Sequence, residues 1–201
     1  MQSFHVIRLT LAQVRSAYAA LLIPAFPEDE LKPLRMIEQA LGRGEYLCYG
    51  ASDGDDVLAA AFFVRICREG RTLMLFDYFV VREDLRCRGL GSRFLQALIE
   101  GPLKGEAAIL LEVDEPSCAE TPEEEEIRNR RLAFYLRNGL VDTGAMATVY
   151  GVTYRILCLN AQSVPTPDEA RRLYAALYHA VLPPQIYRQR VFIEGFDEST
   201  P

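Results

Sequence analysis

Hydrophobic and polar positions follow two rhythms along this chain, one of helices and one of strands. Thr10-Leu11-Ala12-Gln13 is a capping-box pattern, in which a hydroxyl and an amide satisfy orphan backbone donors, and it opens a helix predicted to run to about Leu22. A second helical region over 28–41 is broken near Pro33 and closed by Gly42 and Gly44. Residues 46–51 and 57–67 read as two strands joined by the turn Ser52-Asp53-Gly54-Asp55, and 72–81 as a longer strand after a turn at Gly70. Over 90–100, Leu90, Phe94, Leu95, Leu98 and Ile99 share one helical face, and Pro102 and Gly105 end the helix. The apolar run 107–113, interrupted by Glu112, reads as a buried strand. An acidic stretch, 114–126, leads into a helix over about 124–138 that Gly139 terminates. Residues 140–145 and 149–159 read as the two strands of a hairpin. Thr166-Pro167-Asp168-Glu169, a capping box with proline at the first helical position, starts a last helix running to about Val181, before Pro183-Pro184. This order predicts an α/β or α+β layered domain around one mixed sheet.

Composition narrows the class. The 201 residues suffice for one ordinary domain with a terminal extension, and with half of them hydrophobic and a quarter charged, disorder is excluded. Apolar runs such as 57–64 stop well short of a membrane span, and the first ten residues lack the basic start and apolar stretch of a signal peptide. Cys48, Cys67, Cys87, Cys118 and Cys158 are scattered, which fits free thiols in a reducing compartment and predicts a cytoplasmic protein. No metal site is expected, because no cysteine pair has ligand spacing and His5 and His179 are the only histidines. The run 123–126 precedes a helix, where negative charge complements the dipole. A net charge of −6 argues against nucleic acid as a partner and tolerates a cationic substrate such as an amine.

The segment with most chemistry is 77–92, where an apolar strand passes through a short polar loop into Arg86-Cys87-Arg88-Gly89-Leu90-Gly91-Ser92 and an amphipathic helix. Glycines at 89 and 91 allow close backbone approach and unusual dihedrals, while unpaired N–H groups and the helix dipole favour a phosphate. A dinucleotide fingerprint would need a small residue where Phe94 stands, and a P-loop would need Lys-Ser or Lys-Thr where the chain has Ser92-Arg93.

The loop resembles the acetyl-CoA diphosphate loop of the GNAT superfamily of acyl-CoA-dependent N-acyltransferases, and the resemblance in element order extends over 6–159. It implies a central mixed, largely antiparallel sheet flanked by helices over residues 1–160, followed by a C-terminal helical extension over 161–201. Acetyl-CoA would be the co-substrate, with its diphosphate on Arg86, Cys87, Arg88, Gly89, Leu90, Gly91 and Ser92. Its pantetheine arm would pair with backbone at Phe79, Val80 and Val81, in the V left where 72–81 splays away from 107–113. The segment 128–140 resembles the family helix that ends in Phe134-Tyr135. By that comparison Tyr135 protonates the departing thiolate, and Asn129 is a candidate cofactor contact, although many relatives have asparagine where this chain has Arg128. Tyr135 can equally be a core aromatic, flanked by Leu132 and Leu136.

Acyl transfer also requires a neutral amine, hence a base. Asp77 and Glu112 are the candidates, since both lie in apolar sequence where desolvation raises a carboxyl pKa, and either can instead be a structural carboxylate paired with an arginine. Tyr78 is expected to line the acceptor pocket, and Cys87 to be an incidental thiol. The last helix shows Leu173, Ala176, Leu177 and Ala180 as a stripe beside Tyr174 and Tyr178, for packing on the body or on a second subunit of a homodimer. The leading expectation is transfer of acetyl from acetyl-CoA to a primary amine. The alternatives are a catalytically silent acyl-CoA-binding sensor or interaction module, and an enzyme using a longer acyl group.

Overall fold

The computed structural model describes residues 3–68, 71–106, 109–159 and 164–196. Residues 1–2, 69–70, 107–108, 160–163 and 197–201, and with them the turn at Gly70, the start of the strand 107–113 and both ends of the 161–201 extension, lie outside the described residues. Contacts divide the chain into two compact units, Met1–Arg65 with Phe76–Lys104, and Ile66–Leu75 with Gly105–Pro201.

The first unit contains β1 (His5–Arg8), α1 (Leu11–Ala17), α2 (Leu34–Gly42), β2 (Tyr46–Asp53), most of β3 (Asp56–Arg68), the second half of β4 (Arg71–Val81), and α3 (Leu90–Glu100). The predicted capping box starts α1: Gln13 N–H donates to the Thr10 hydroxyl at 3.3 Å and Thr10 N–H to the Gln13 side chain at 3.0 Å. The helix expected to run to residue 22 changes character on the way. Over Tyr18–Leu22 it widens into a π turn, with Ile23 N–H reaching back five residues to the Tyr18 carbonyl. A short 3-10 turn, Glu28–Glu30, precedes α2, and Pro33 separates them as expected.

Strands β1, β2 and β3 pair antiparallel, with His5 opposite Ser52 and Tyr46 opposite Val64, and β4 follows β3. Leu58, Ala59, Ala60, Ala61, Phe62 and Phe63 are all buried, so both faces of β3 are covered, and its sequence is a continuous apolar run without alternation. Small alanines let neighbouring aromatics fill the space; Phe63 stacks on Phe76 with centroids 4.4 Å apart. Helix α3 buries Leu90, Phe94, Leu95 and Leu98, and Phe94 stacks on Phe79 of β4.

The second unit contains β5 (Ile109–Asp114), α4 (Pro122–Arg137), β6 (Val141–Val149), β7 (Val152–Leu159), α5 (Pro167–Val181), α6 (Pro184–Arg190) and β8 (Val191–Ile193). Its strands lie in the order β5-β7-β6-β8, and the pairs β5–β7, β6–β7 and β6–β8 are antiparallel. Helix α4 starts two residues before the expected 124, because the Thr121 hydroxyl accepts from Glu124 N–H and Pro122 takes the first turn. The β6–β7 turn falls at Tyr150-Gly151, with φ of 51° and 90°, and not in the 146–148 gap of the sequence reading. Two successive positive φ values suit the twist of a tight hairpin, so β6 continues through Val149.

In α5 the capping box and both ends are as predicted, but its buried face is Ala170, Tyr174, Ala175 and Leu177. Leu173 and Ala176 of the expected stripe are only half-buried, and Ala180 is exposed, because Tyr174 is the residue that packs inward. Neither α6 nor β8 was legible in the sequence, since three residues pairing Val191 with Val149 offer no periodicity to read. The fold class is the expected α/β one, with a largely antiparallel set of strands flanked by helices.

Candidate active site

In the first unit, β4 delivers the chain to the predicted phosphate loop. A 3-10 turn, Glu83–Leu85, follows, its Leu85 buried on Leu58 and Leu90. Cys87 has φ of 60° and Gly89 φ of 75°, so left-handed backbone brackets Arg88. Alternation of this kind turns successive N–H groups towards one point and makes an anion-binding concavity. Gly89 is the residue before α3, and no side chain caps that helix, whose first amides complete the concavity. A Cβ on Gly89 would meet no atom within 4 Å. Within the protein itself, glycine is called for here by its dihedral angle.

Arg86, Cys87, Arg88 and Gly89 are exposed, Gly91 and Ser92 half-buried, and Leu90 anchors the loop in the core. Arg86 Nε donates to the Val81 carbonyl at 3.1 Å, which fixes its guanidinium beside the strand end. A cleft of about 440 Å³ adjoins it, lined by Ala20, Leu21 and Pro24 on one side and by Val81, Arg82, Glu83, Asp84 and Arg86 on the other. A hydrogen bond from Arg82 holds the Asp84 carboxyl below its usual range and so firmly anionic, and the same Arg82, 2.7 Å away, balances that charge. The π turn thus forms one wall of this cleft, a common location for such turns at functional sites. Val80 is buried, and Phe79 and Val81 are half-buried.

Asp77 lies on β4 with its side chain only 6% exposed. Its carboxylate is paired with Lys32 Nζ at 2.5 Å and accepts a hydrogen bond from the Tyr46 hydroxyl. Lys32, not an arginine, is the partner. The backbone of Lys32 is fixed from both sides, its N–H donating to the Tyr78 hydroxyl at 2.8 Å and its carbonyl accepting from the Tyr18 hydroxyl at 3.0 Å. The Tyr78 hydroxyl in turn donates to the Glu30 carbonyl at 2.9 Å. Burial first, and the neighbouring Asp77 second, push Tyr46 well above its usual pKa and Tyr78 up to about 12. Both phenols therefore remain hydrogen-bond donors at neutral pH.

In the second unit, Tyr135 is buried near the end of α4. Burial pushes its pKa up to about 12, with Arg131 lowering it and Asp114 raising it to lesser degrees. The hydroxyl keeps its proton at neutral pH, and that proton is harder to release than an exposed tyrosine's. Asn129 is exposed on α4. Glu112, on β5, accepts hydrogen bonds from the hydroxyls of Tyr174 and Tyr178, the latter at 2.5 Å. Glu115 is buried, and its side chain meets Arg155, which also bridges to Asp142 at 2.7 Å. Burial raises the Glu115 pKa, but hydrogen bonds from Ser117 and Arg155 outweigh it and the net shift is downward.

Lys32, Tyr46 and Tyr18 around Asp77, and Arg155 with Asp142 around Glu115, were not singled out in the sequence. Only the aromatic and charged composition of their segments could have drawn notice. Among the described residues no group of three or more His, Cys, Asp or Glu side chains could hold a metal ion, and no helix is long and apolar enough to cross a membrane. All five cysteines are free thiols, with Cys48 and Cys158 buried.

No protein-family model and no curated protein sequence matches the chain. Solved structures do. A protein from Bacteroides thetaiotaomicron assigned to the GNAT family matches 88% of this chain and 97% of its own, at 19% identity and a TM-score of 0.59. The ribosomal-protein-S18-alanine N-acetyltransferase of Escherichia coli matches 78% of this chain and 92% of its own, at 19% identity and a TM-score of 0.54. A mutant spermidine N-acetyltransferase from Vibrio cholerae matches 78% and 93%, at 10% identity and a TM-score of 0.56. At these identities the likeness is one of fold, and it spans nearly the whole of each neighbour: this chain has the fold of the GNAT acetyltransferases.

Proposed function

We propose that this protein is an acyl-CoA-dependent N-acyltransferase that moves an acetyl group from acetyl-CoA to a primary amine. The observation carrying this reading is the loop from Arg86 to Ser92, where left-handed backbone at Cys87 and Gly89 opens the uncapped helix α3 beside Arg86 and Arg88. Two adjoining phosphates need an array of N–H donors with cationic side chains nearby, and this loop supplies both. The fold neighbours that act on spermidine and on a ribosomal-protein alanine add support for an amine acceptor. Residues 1–160 are read as the acyltransferase domain and 161–201 as an extension to it.

In this reading the loop holds the diphosphate, and backbone at Phe79, Val80 and Val81 receives the pantetheine arm. The buried carboxylate of Asp77 takes the proton that the acceptor amine must lose before attack. Tyr135 hands its hydroxyl proton to the departing thiolate, and Asn129 contacts the cofactor. Glu112, already engaged by two phenols of α5, serves more readily as an anchor for the tail than as a base. The protein is cytoplasmic, consistent with five free thiols.

A silent acyl-CoA-binding module is the second reading, favoured by the occupation of Asp77 by Lys32 and Tyr46. Thiol release separates the two. The enzyme should liberate free CoA from acetyl-CoA in the presence of spermidine, other polyamines, aminoglycosides or peptide N-termini. A protein that is stabilised by acetyl-CoA but releases no thiol with any of these would be the binding module. One that is not stabilised by millimolar acetyl-CoA would be neither.

A further inference from the structure

From the placement of Lys32 we infer that its Nζ is an acyl acceptor within the protein itself, a self-acylation site served by Asp77. This rests on the acyltransferase reading above. Three observations carry it. The first is geometric: Lys32 presents a primary amine 2.5 Å from the buried Asp77 carboxylate, the residue read as the base. Its backbone is held at both N–H and carbonyl by Tyr78 and Tyr18, which fixes where the side chain starts, and the ammonium also lies 5.4 Å from the Tyr78 ring centroid. Its side chain is nevertheless 42% exposed, so a reactant can reach it from solvent.

The second is a shared wall. Tyr18, which holds the Lys32 carbonyl, belongs to the same π turn as Ala20 and Leu21, which line the cleft beside the loop. Val81, on the other side of that cleft, belongs to the same strand as Asp77. A cofactor whose diphosphate lies at the loop and whose arm runs back along β4 would bring its thioester towards this pair.

The third is chemical economy. Among all the lysines and arginines of the chain, the lysines are Lys32 and Lys104 alone. Carboxylates such as Glu38, Asp84 and Glu115 pair with arginine, whose bidentate fork suits them better than an ammonium does. Asp77 is paired with one of the two lysines.

The step balances without a further reactant. The Lys32 ammonium gives one proton to Asp77, and the neutral Nζ attacks the thioester carbonyl carbon. The C–N bond forms, the C–S bond breaks, and the electron pair leaves on sulfur. The second proton shed by nitrogen ends on the thiolate, giving an amide and free CoA, and Asp77 returns its proton to solvent. The acylated Lys32 carries no charge, so Asp77 loses its ion-pair partner and becomes available to an external amine.

The test incubates the purified full chain with acetyl-CoA, follows intact mass and maps the modified peptide, with thermal shift by acetyl-CoA measured on the same samples. Lys104, exposed and remote in sequence from Asp77, is the internal comparison. Acetylation is expected at Lys32 at least about tenfold faster than at Lys104, because the attack is intramolecular. The fraction modified should be unchanged on dilution of the protein, and slowed in Asp77→Asn. Thermal stabilisation without Lys32 acetylation would overturn the inference and leave the acyltransferase reading standing. Equal modification of Lys32 and Lys104 would overturn it as well, by showing unguided chemistry. Absence of any stabilisation would overturn both.

Discussion

The Tyr174 hydroxyl donates a hydrogen bond to the Glu112 carboxylate, tying the tail helix α5 to strand β5 across 62 residues of sequence. Tyr174 is fully buried, and the carboxylate takes a second hydrogen bond from Tyr178. The tail therefore holds a charge that strand β5 carries among apolar neighbours. Tyr174→Phe leaves that charge with one phenol fewer and should destabilise the protein by about 1–3 kcal/mol, read from denaturant midpoints. Unchanged stability would mean that Glu112 is satisfied elsewhere.

Four buried phenols also set an alkaline limit. Tyr46 and Tyr174 are held well above the ordinary tyrosine pKa, and Tyr78 and Tyr135 are at about 12, burial being the largest cause in each. A group whose folded pKa is raised contributes stability that is fully present below its unfolded pKa, and loses it as pH rises through the folded one. The unfolded chain releases these protons near pH 10 while the folded one keeps them, so stability should fall steadily from about pH 10 to about 12. The melting temperature across that range checks this, with the phenolate absorbance of these four tyrosines appearing only as the protein unfolds.

At Gly89 the protein imposes a φ of 75° and no crowding of its own. Gly89→Val should cost about 1–2 kcal/mol of local strain and abolish stabilisation by acetyl-CoA, because the loop amides lose their alignment. Gly89→Asn tolerates the left-handed region better and should keep part of the response. A thermal-shift titration of the two variants distinguishes them, and equal behaviour would show that the dihedral is not what the loop needs.

Tyr135→Phe removes a hydroxyl and leaves the aromatic packing of a buried ring. Turnover should fall by about a hundredfold with every acceptor, while affinity for acetyl-CoA changes little. The pKa of about 12 makes this hydroxyl a weaker acid than an ordinary phenol, which weighs against the donor role and makes the measurement decisive. Unchanged turnover, where chemistry limits the rate, would assign protonation of the thiolate to solvent and leave Tyr135 a core aromatic.

The sequence by itself determined the features that depend on neighbours a few residues away. The capping boxes at Thr10 and Thr166, the breaks at Pro33 and Gly139, the amphipathic face of α3 and the left-handed glycine opening it were all legible, because each is fixed by local backbone chemistry. So were Asp77 and Glu112 as carboxylates in apolar strands. Only the tertiary structure decided what those carboxylates meet: Lys32 is 45 residues from Asp77, and Tyr174 62 from Glu112. It also decided that the first helix widens at Tyr18, that Tyr174 rather than Leu173 faces inward, and that β8 pairs with β6. The physical reason is the same in each case. Local rules specify which conformations a segment favours, whereas the partner of a buried polar group is chosen by which side chains packing brings within hydrogen-bond reach.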